Sequence, residues 1–195
     1  MPLQPMFLPQ ADLAHDRHWL TPAEADALFA QLRTQVAWEV HRLRLFGREV
    51  DSPRLSCWIG DPDAGYRYSG RYFAPRLWPP VLQPIRARLA RELGVAFNSV
   101  LANLYRSGAD AMGWHSDDER ELGARPVIAS LSLGAERRFL LRHRREPERK
   151  LAIALGPGSL LVMSADTQRH YRHSLPRTRR AVGERINLTF RVVGA

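Results

Sequence analysis

The stretch Arg185-Ile186-Asn187-Leu188-Thr189-Phe190-Arg191 alternates polar and apolar side chains along its whole length. Alternation with a period of two predicts a β-strand, with the apolar residues on one face and the polar residues on the other. A strand of this kind usually turns its polar face to water. If the polar face instead points inward, its two arginines are costly to bury unless a bound anion pairs with them.

Several other segments change to the same period of two and are separated by Gly, Pro or charged turns. The basic stretch from Arg142 to Lys150 lies between two of them and is typical of a solvated hairpin loop. Together with Arg185 to Val193, the predicted strands are Phe97 to Tyr105, Val127 to Leu133, Phe139 to His143, Leu151 to Leu155 and Ser159 to Met163.

Two amphipathic helices precede these strands. Thr21-Pro22-Ala23-Glu24 combines a capping Thr, a Pro at the first helical position and a Glu three residues after the cap. Apolar residues then recur at helical spacing as far as Val40, so we expect this helix to end before Gly47. Pro79 and Pro80 introduce the second helix, whose apolar stripe is Val81, Ile85, Leu89 and Leu93, with Gly94 as its stop.

The remaining segments complete the predicted architecture. Residues 1–20 are expected to be irregular, and Arg48 to Phe73 is expected to form loops and short strands around a turn at Gly60 to Asp63. Two helices followed by many strands favour a mainly β fold with flanking helices (α+β), a jelly roll or sandwich backed by two helices from the first half of the chain.

Length and composition fit one soluble domain over residues 1–195, since 45% of the chain is hydrophobic and 25% is charged. No apolar run approaches the roughly 20 residues of a membrane span, and the first ten residues do not resemble a signal peptide. We therefore expect a cytoplasmic protein with no membrane partner. The single cysteine, Cys57, excludes multi-cysteine metal sites, so any metal needs His and carboxylate ligands.

Two histidines and a carboxylate offer such a site. His115-Ser116-Asp117 has a further histidine, His173, 58 positions after His115. Two His and one carboxylate can occupy one face of an octahedral iron site and leave three positions open, although the same ligands also accept Mn(II) or Zn(II). His-x-Asp alone is a weak signal, because it often marks a capped turn. An inward-pointing polar face of Arg185 to Arg191 supports the iron site, because the two arginines would then pair with a dicarboxylate such as 2-oxoglutarate.

Three motifs in this order resemble the AlkB family of Fe(II)- and 2-oxoglutarate-dependent nucleic-acid dealkylases, over roughly Phe46 to Val193. They are His115-Ser116-Asp117, His170-Tyr171-Arg172-His173-Ser174-Leu175-Pro176, and the R-x-N-x-T-x-R pattern of Arg185 to Arg191. The resemblance is closest to the branch that repairs 1-methyladenine and 3-methylcytosine in duplex DNA, through Asn103-Leu104-Tyr105, Asp117 to Leu122 and Gly158-Ser159-Leu160-Leu161. It implies a double-stranded β-helix, with residues 97–193 as its core and 45–75 as a nucleotide-recognition region.

The resemblance also implies roles for individual residues. His115, Asp117 and His173 would be the iron ligands; His170 competes for the third place, but the family's ligand directly precedes Ser-Leu-Pro. Arg185 and Arg191 would hold the two carboxylates of 2-oxoglutarate, in an order that stays open. The supporting contacts to 2-oxoglutarate would come from Asn103, Tyr105, Asn187 and Thr189.

A further set of residues is predicted to contact the substrate. Tyr68 would stack on a flipped base with Tyr66 beside it, although aromatic residues at period two are also ordinary sheet packing. Asp118 and Glu119 would read the base edge, or form a solvated acidic turn. Trp114 would line the pocket or pack in the core. Phe46 would be an apolar wedge in duplex DNA, or a core residue, and Arg54 would contact phosphates.

The implied activity is oxidative demethylation of DNA bases, in which 2-oxoglutarate and O₂ are consumed and succinate, CO₂ and formaldehyde are released. The net charge of +9 favours a polyanionic partner such as DNA. Three alternatives remain: an RNA demethylase of the same family, a metal hydrolase using the same His/Asp/His set, and a nucleic-acid-binding jelly roll with a degenerate site. We expect a monomer.

Overall fold

The structure of the protein, a computed structural model, describes residues 3–45, 48–68 and 71–194. The side chains of 41–50 and 66–73 lie outside this description. In the described ranges two antiparallel sheets face each other, and the two longer helices cover the outer face of the larger sheet. None of the described helices is long and apolar enough to cross a membrane.

Strands are numbered in chain order. Among the described residues the larger sheet has the spatial order β1 (Gln4–Met6), β2 (Asp12–Asp16), β12 (Leu160–Ser164), β9 (Ile128–Gly134), β14 (Arg185–Arg191), β7 (Ser99–Tyr105), β4 (Arg48–Gly60) and β3 (Glu39–Leu45). The smaller sheet has the order β11 (Lys150–Leu155), β10 (Arg137–His143), β13 (Tyr171–Leu175) and β8 (Met112–His115). Separately, β5 (Tyr66–Tyr68) pairs with β6 (Arg71–Phe73). The predicted jelly roll backed by helices is confirmed.

The first helix, α1 (Pro22–Gln35), begins as predicted. The Thr21 hydroxyl accepts a hydrogen bond from the Glu24 backbone N–H, and the Glu24 carboxylate accepts one from the Thr21 N–H. Its predicted continuation to Val40 is wrong, because Val36 is already extended and β3 begins at Glu39. The reason is competition between structures: pairing with β4 satisfies the backbone of this segment, and the β-branched side chains at 36 and 40 suit a strand.

The second helix, α2 (Gln83–Leu93), also matches its prediction. A 3₁₀ turn (Pro80–Leu82) leads into it, and Gly94 ends it in the left-handed conformation with φ of 66°. Leu82 and Leu89 are buried between this segment and the larger sheet. A third helix, α3 (Thr167–His170), is a single turn immediately before β13.

Two segments differ from expectation. Residues 1–20 contain β1 and β2 rather than an irregular segment, because β2 pairs with β12 along its full length and joins the larger sheet. Arg48 to Phe73 contains the long strand β4, not only loops and short strands, since β4 is held between β3 and β7. The other predicted strands are observed within one or two residues of their expected ends.

The position of β14 determines the site. This strand lies between β9 and β7, and all of its residues are buried. Ile186, Leu188 and Phe190 pack in the core beneath the helices, whereas the alternate residues face the smaller sheet. The polar face of the strand therefore points inward, and a pocket between the two sheets receives it.

Candidate metal centre

His115, Asp117 and His173 meet at one end of this pocket. The first lies at the end of β8, the second follows that strand, and the third lies on β13. Because β8 and β13 pair with His115 directly opposite His173, two side chains that are 58 positions apart in the sequence are neighbours in space. One candidate ligand atom from each residue lies within 4.8 Å of the others. The Asp117 carboxylate is 4.0 Å from His115 Nε2 and 3.8 Å from His173 Nε2.

Hydrogen bonds orient this triad. His115 Nδ1 lies 2.9 Å from the Gly113 carbonyl oxygen. A carbonyl only accepts, so the neutral ring carries its proton on Nδ1 and offers the Nε2 lone pair. The backbone N–H of Asp117 donates to Gln168 Oε1 at 3.0 Å, and Ser116 Oγ donates to the Tyr171 carbonyl at 2.7 Å. These contacts hold the loop after β8 against β13.

Burial sets the charge state of the triad. Burial lowers the pKa of His173 to about 3 and also lowers the pKa of His115, so both rings are neutral at pH 7. Burial alone raises the pKa of Asp117, but the charge and the hydrogen bond of Arg191, together with His173 and His115, outweigh this effect. The pKa of the carboxyl group therefore lies below its usual range. Two neutral imidazoles and one carboxylate are the protonation states that bind a divalent cation.

His170 takes no part in this triad. Its ring stacks on His143, with centroids 5.9 Å apart and planes 5° apart. The His173 ring instead packs edge-on against His115, with centroids 4.2 Å apart. Of these two histidines, therefore, only His173 is placed beside Asp117.

The other end of the pocket is formed by the polar face of β14 and its neighbour β7. Arg185 donates to Ser132 Oγ at 2.8 Å, and its guanidinium lies 5.3 Å from the centroid of the Tyr105 ring. Asn187 donates to Ser130 Oγ and accepts from Thr189 Oγ1. All the predicted co-substrate residues line this pocket: Asn103, Tyr105, Arg185, Asn187, Thr189 and Arg191.

The family model for the 2OG-Fe(II) oxygenase superfamily matches residues 12–191. The chain belongs to this superfamily. It is therefore an oxygenase whose cofactors are Fe(II) and 2-oxoglutarate, with O₂ as the oxidant.

Named relatives narrow the family further. Mouse DNA oxidative demethylase ALKBH2 is 39% identical over 181 residues, which are 88% of this chain and 76% of the relative. Human ALKBH2 is 40% identical, with 88% and 69% covered, and human alpha-ketoglutarate-dependent dioxygenase alkB homolog 3 is 38% identical, with 87% and 62% covered. Within the oxygenase superfamily the chain is thus an AlkB-family protein. The solved structure of OsALKBH1 covers 98% of this chain with a TM-score of 0.66, and at 18% identity it bears on the fold alone.

The residues of this AlkB-family protein fit the cofactors that the superfamily uses. Arg185 is 2% exposed, its Nε has no hydrogen-bond partner among the described residues, and no described carboxylate pairs with it. Burial lowers its pKa to about 10, which still leaves the guanidinium charged at neutral pH. A buried cation without an anion is unfavourable, so the pocket fits a carboxylate at this position. The His/Asp/His donor set likewise fits Fe(II).

Arg191 links the two ends of the pocket. Its guanidinium donates to Asp117 Oδ1 at 2.7 Å, and both side chains are almost fully buried. The two predicted carboxylate-binding arginines therefore differ, because Arg191 contacts the metal triad and Arg185 is separated from it along β14.

Arg54 corrects a prediction. It is 6% exposed, lines the pocket and donates to Asn103 Oδ1 at 2.6 Å and to Ser52 Oγ at 3.1 Å. The expected phosphate contact is wrong, since a buried guanidinium directed at Asn103 does not face a DNA backbone at the surface. No local pattern predicts this position, because the face of β4 on which Arg54 lies depends on the register with β7.

Asp118 and Glu119, the two acidic residues that follow the triad, lie in different environments. Asp118 is half exposed and pairs with Arg144, while Glu119 Oε2 is buried without a hydrogen-bond partner among the described residues. Neither residue lines the pocket. Trp114 neither lines the pocket nor packs in the core, since 40% of it is exposed.

Three predicted substrate contacts involve side chains outside the described part of the chain. Phe46 lies outside the described residues, and so do the side chains of Tyr66 and Tyr68, whose backbone forms β5. Conversely, two contributors to the site were not predicted. Gln168 holds the backbone of Asp117, and Phe139 packs on the His173 ring with centroids 5.3 Å apart. The position of Phe139 inside the alternation of β10 was the available signal for its inward face.

Proposed function

We propose that this protein demethylates N-alkylated bases of DNA, with 1-methyladenine and 3-methylcytosine as substrates. The observation that carries the proposal is the shared pocket. It holds a triad of two neutral imidazoles and one carboxylate, and also Arg185, a buried cation with no anionic partner among the described residues. The relatives named DNA oxidative demethylase, at about 40% identity, support DNA as the substrate.

In this proposal His115, Asp117 and His173 hold Fe(II), with His115 presenting Nε2 because its Nδ1 proton is engaged by Gly113. When bound, Fe(II) with 2-oxoglutarate and O₂ supplies the oxidation of the methyl group, and succinate and CO₂ are the products of the co-substrate. The oxidised methyl group then leaves the base nitrogen as formaldehyde. The chain's own contribution is to place the methyl group beside the triad.

Arg185 would bind one carboxylate of 2-oxoglutarate deep in the pocket, and Arg191 would orient the other beside the triad. Asn103, Tyr105, Asn187 and Thr189 would supply hydrogen bonds from the same walls. The Arg191 contact with Asp117 would keep that carboxylate ionised and fixed in orientation. Tyr68, Tyr66, Asp118 and Glu119 stay the proposed contacts to the extruded base, and a monomer acting in the cytoplasm is part of the same proposal.

The test is a turnover assay with methylated single-stranded DNA, duplex DNA and RNA of one sequence. We expect formaldehyde and succinate in equal amounts with DNA, and neither when 2-oxoglutarate is omitted. A preference for RNA would favour the alternative RNA demethylase. Turnover that needs no 2-oxoglutarate would favour a hydrolase, and tight binding without any turnover would favour a binding protein.

A further inference from the structure

The outer face of the smaller sheet carries a row of cations. Arg142 on β10 lies directly opposite Lys150 on β11 and directly opposite Arg172 on β13. Residues in register lie on the same face, and like charges directly opposite one another destabilise a sheet. Lys150 and Arg172 are exposed, and Arg142 is partly exposed. The row is therefore a local cost that an anionic partner would offset.

Nearby carboxylates do not neutralise this row. Asp118 pairs with Arg144, and Glu146 pairs with Arg149. None of the described carboxylates forms an ion pair with Arg142, Lys150 or Arg172.

An exposed aromatic side chain continues the row. Trp114 lies on β8, which is the edge of the smaller sheet in the described residues, and 40% of it is exposed. The Arg142 guanidinium lies over the indole ring, 4.4 Å from its centroid. This contact holds the indole beside the cations, in the combination of aromatic and basic side chains that binds single-stranded nucleic acid. We call Trp114, Arg142, Lys150 and Arg172 the outer basic face.

The outer basic face is the reverse side of the metal centre. Trp114 directly precedes His115 in the chain, and Arg172 directly precedes His173. Because side chains alternate along a strand, the two histidines face the pocket, whereas Trp114 and Arg172 lie on the opposite face of the sheet. Within the triad the His115 side chain is 24% exposed, whereas Asp117 and His173 are 4% and 6% exposed. Of the three triad side chains, the one on β8 is thus the most exposed, and a nucleic-acid strand whose base enters beside it passes the edge that carries Trp114.

We propose that the outer basic face binds the single strand next to the lesion, with its cations on successive phosphates and Trp114 stacked on one base. The inference rests on the proposed function for its biological meaning. An acidic protein segment is the competing occupant, and it would use the cations without needing the indole.

Binding of an unmodified, fluorescein-labelled oligothymidylate of about 15 nucleotides tests this, measured by anisotropy with the full chain over a range of salt concentrations. Trp114→Ala is expected to weaken binding about tenfold, and Trp114→Phe to restore most of it. Arg172→Ala should lower the slope of log affinity against log salt by about 0.7. Arg91→Ala removes one exposed cation from α2, on the other side of the molecule, and should change the affinity least.

Parent-like binding by Trp114→Ala would overturn the proposal, and so would equal losses in Arg91→Ala and Arg172→Ala. Displacement of the probe by polyglutamate as readily as by unlabelled oligothymidylate would assign the face to acidic partners generally. The probe carries no methyl group, so its binding does not depend on turnover. Intact binding with no formaldehyde from any methylated substrate would contradict the proposed function instead.

Discussion

Two histidines only three residues apart have different environments, and this difference can be tested by substitution. His173 lies 3.8 Å from the Asp117 carboxylate, whereas His170 stacks on His143. We expect His173→Ala to abolish formaldehyde release, because it removes one of three metal ligands, and we expect His170→Ala to remain active. Thermal unfolding of both variants is the control for folding. An inactive His170→Ala beside an active His173→Ala would show that the ligands are assigned wrongly.

The two pocket arginines are expected to separate co-substrate binding from metal binding. Arg185→Ala should weaken 2-oxoglutarate binding by about 3–5 kcal/mol at most, because it leaves a buried carboxylate unpaired, and it should leave metal affinity close to that of the parent. Arg191→Ala should weaken both, because Arg191 also holds Asp117. Calorimetry with 2-oxoglutarate, and Mn(II) binding in its absence, measure the two effects. Unchanged 2-oxoglutarate affinity in both variants would contradict the assignment of this strand.

Much of the site could be predicted at this scale. The order of three sequence motifs predicted His115, Asp117 and His173 as the metal ligands. The period-two pattern of β14 predicted that Arg185 and Arg191 lie on the same face. Arg54 was misassigned because burial of a cation depends on partners distant in sequence, here Asn103, which is 49 positions away. Local pattern carries no information on such a partner.

At the scale of elements, prediction succeeded where local chemistry dominates. The capping box of α1 and the glycine stop of α2 are decided by a few adjacent residues. It failed for β8, whose four residues include a glycine, and for β2, whose Asp12 and Asp16 are poor strand formers. These strands form because neighbours in the sheet satisfy their backbones, and no local pattern reports that.

The strand β2 contains a histidine that should make stability depend on pH. His15 is 9% exposed and its Nε2 has no partner among the described residues. Burial lowers its pKa in the folded state, with help from Arg17 and against Asp16. The unfolded chain therefore binds more protons once the pH falls below about 6.5, and stability is lost from there down to the folded pKa.

Replacing this histidine should remove its share of the acid sensitivity. When the pH falls from about 7.5 to about 5, we expect His15→Leu to lose less stability than the parent. The reason is that the unfolded variant has no histidine to protonate at this position. Urea unfolding at both pH values measures the difference. His18→Leu, at an exposed position three residues later, is the matched control and should follow the parent. An equal loss of stability in the parent and in His15→Leu would contradict the prediction.

At the scale of the whole molecule, a net charge of +9 favours binding to a long polyanion. Whether that polyanion is a duplex or a single strand decides whether the protein must also extrude the damaged base. A lesion in a duplex has to leave the stack, at a cost of a few kcal/mol, before it can reach a buried triad. A single strand carries no such cost. Duplex and single-strand activities can therefore be lost separately.

Phe46 provides the test of that separation. If it is an apolar wedge, Phe46→Ala should lose duplex repair but keep single-strand repair and the parent's thermal stability, because only the duplex needs the gap filled. If it is a core residue, both activities and about 3–5 kcal/mol of stability should fall together. Turnover on matched duplex and single-stranded substrates, with thermal unfolding, separates the two outcomes.

The central strand β14 has a consequence for how the protein can change over generations. Its odd-numbered residues serve the pocket and its even-numbered residues serve the core beneath the helices. An insertion or deletion of a single codon within it would exchange the two sets beyond that point, placing guanidinium groups under the helices and phenylalanine in the pocket. A change in the length of this strand therefore cannot alter the pocket residues without also disrupting the core. The segment must be inherited at constant length, whereas the hairpin turn between β10 and β11 can vary.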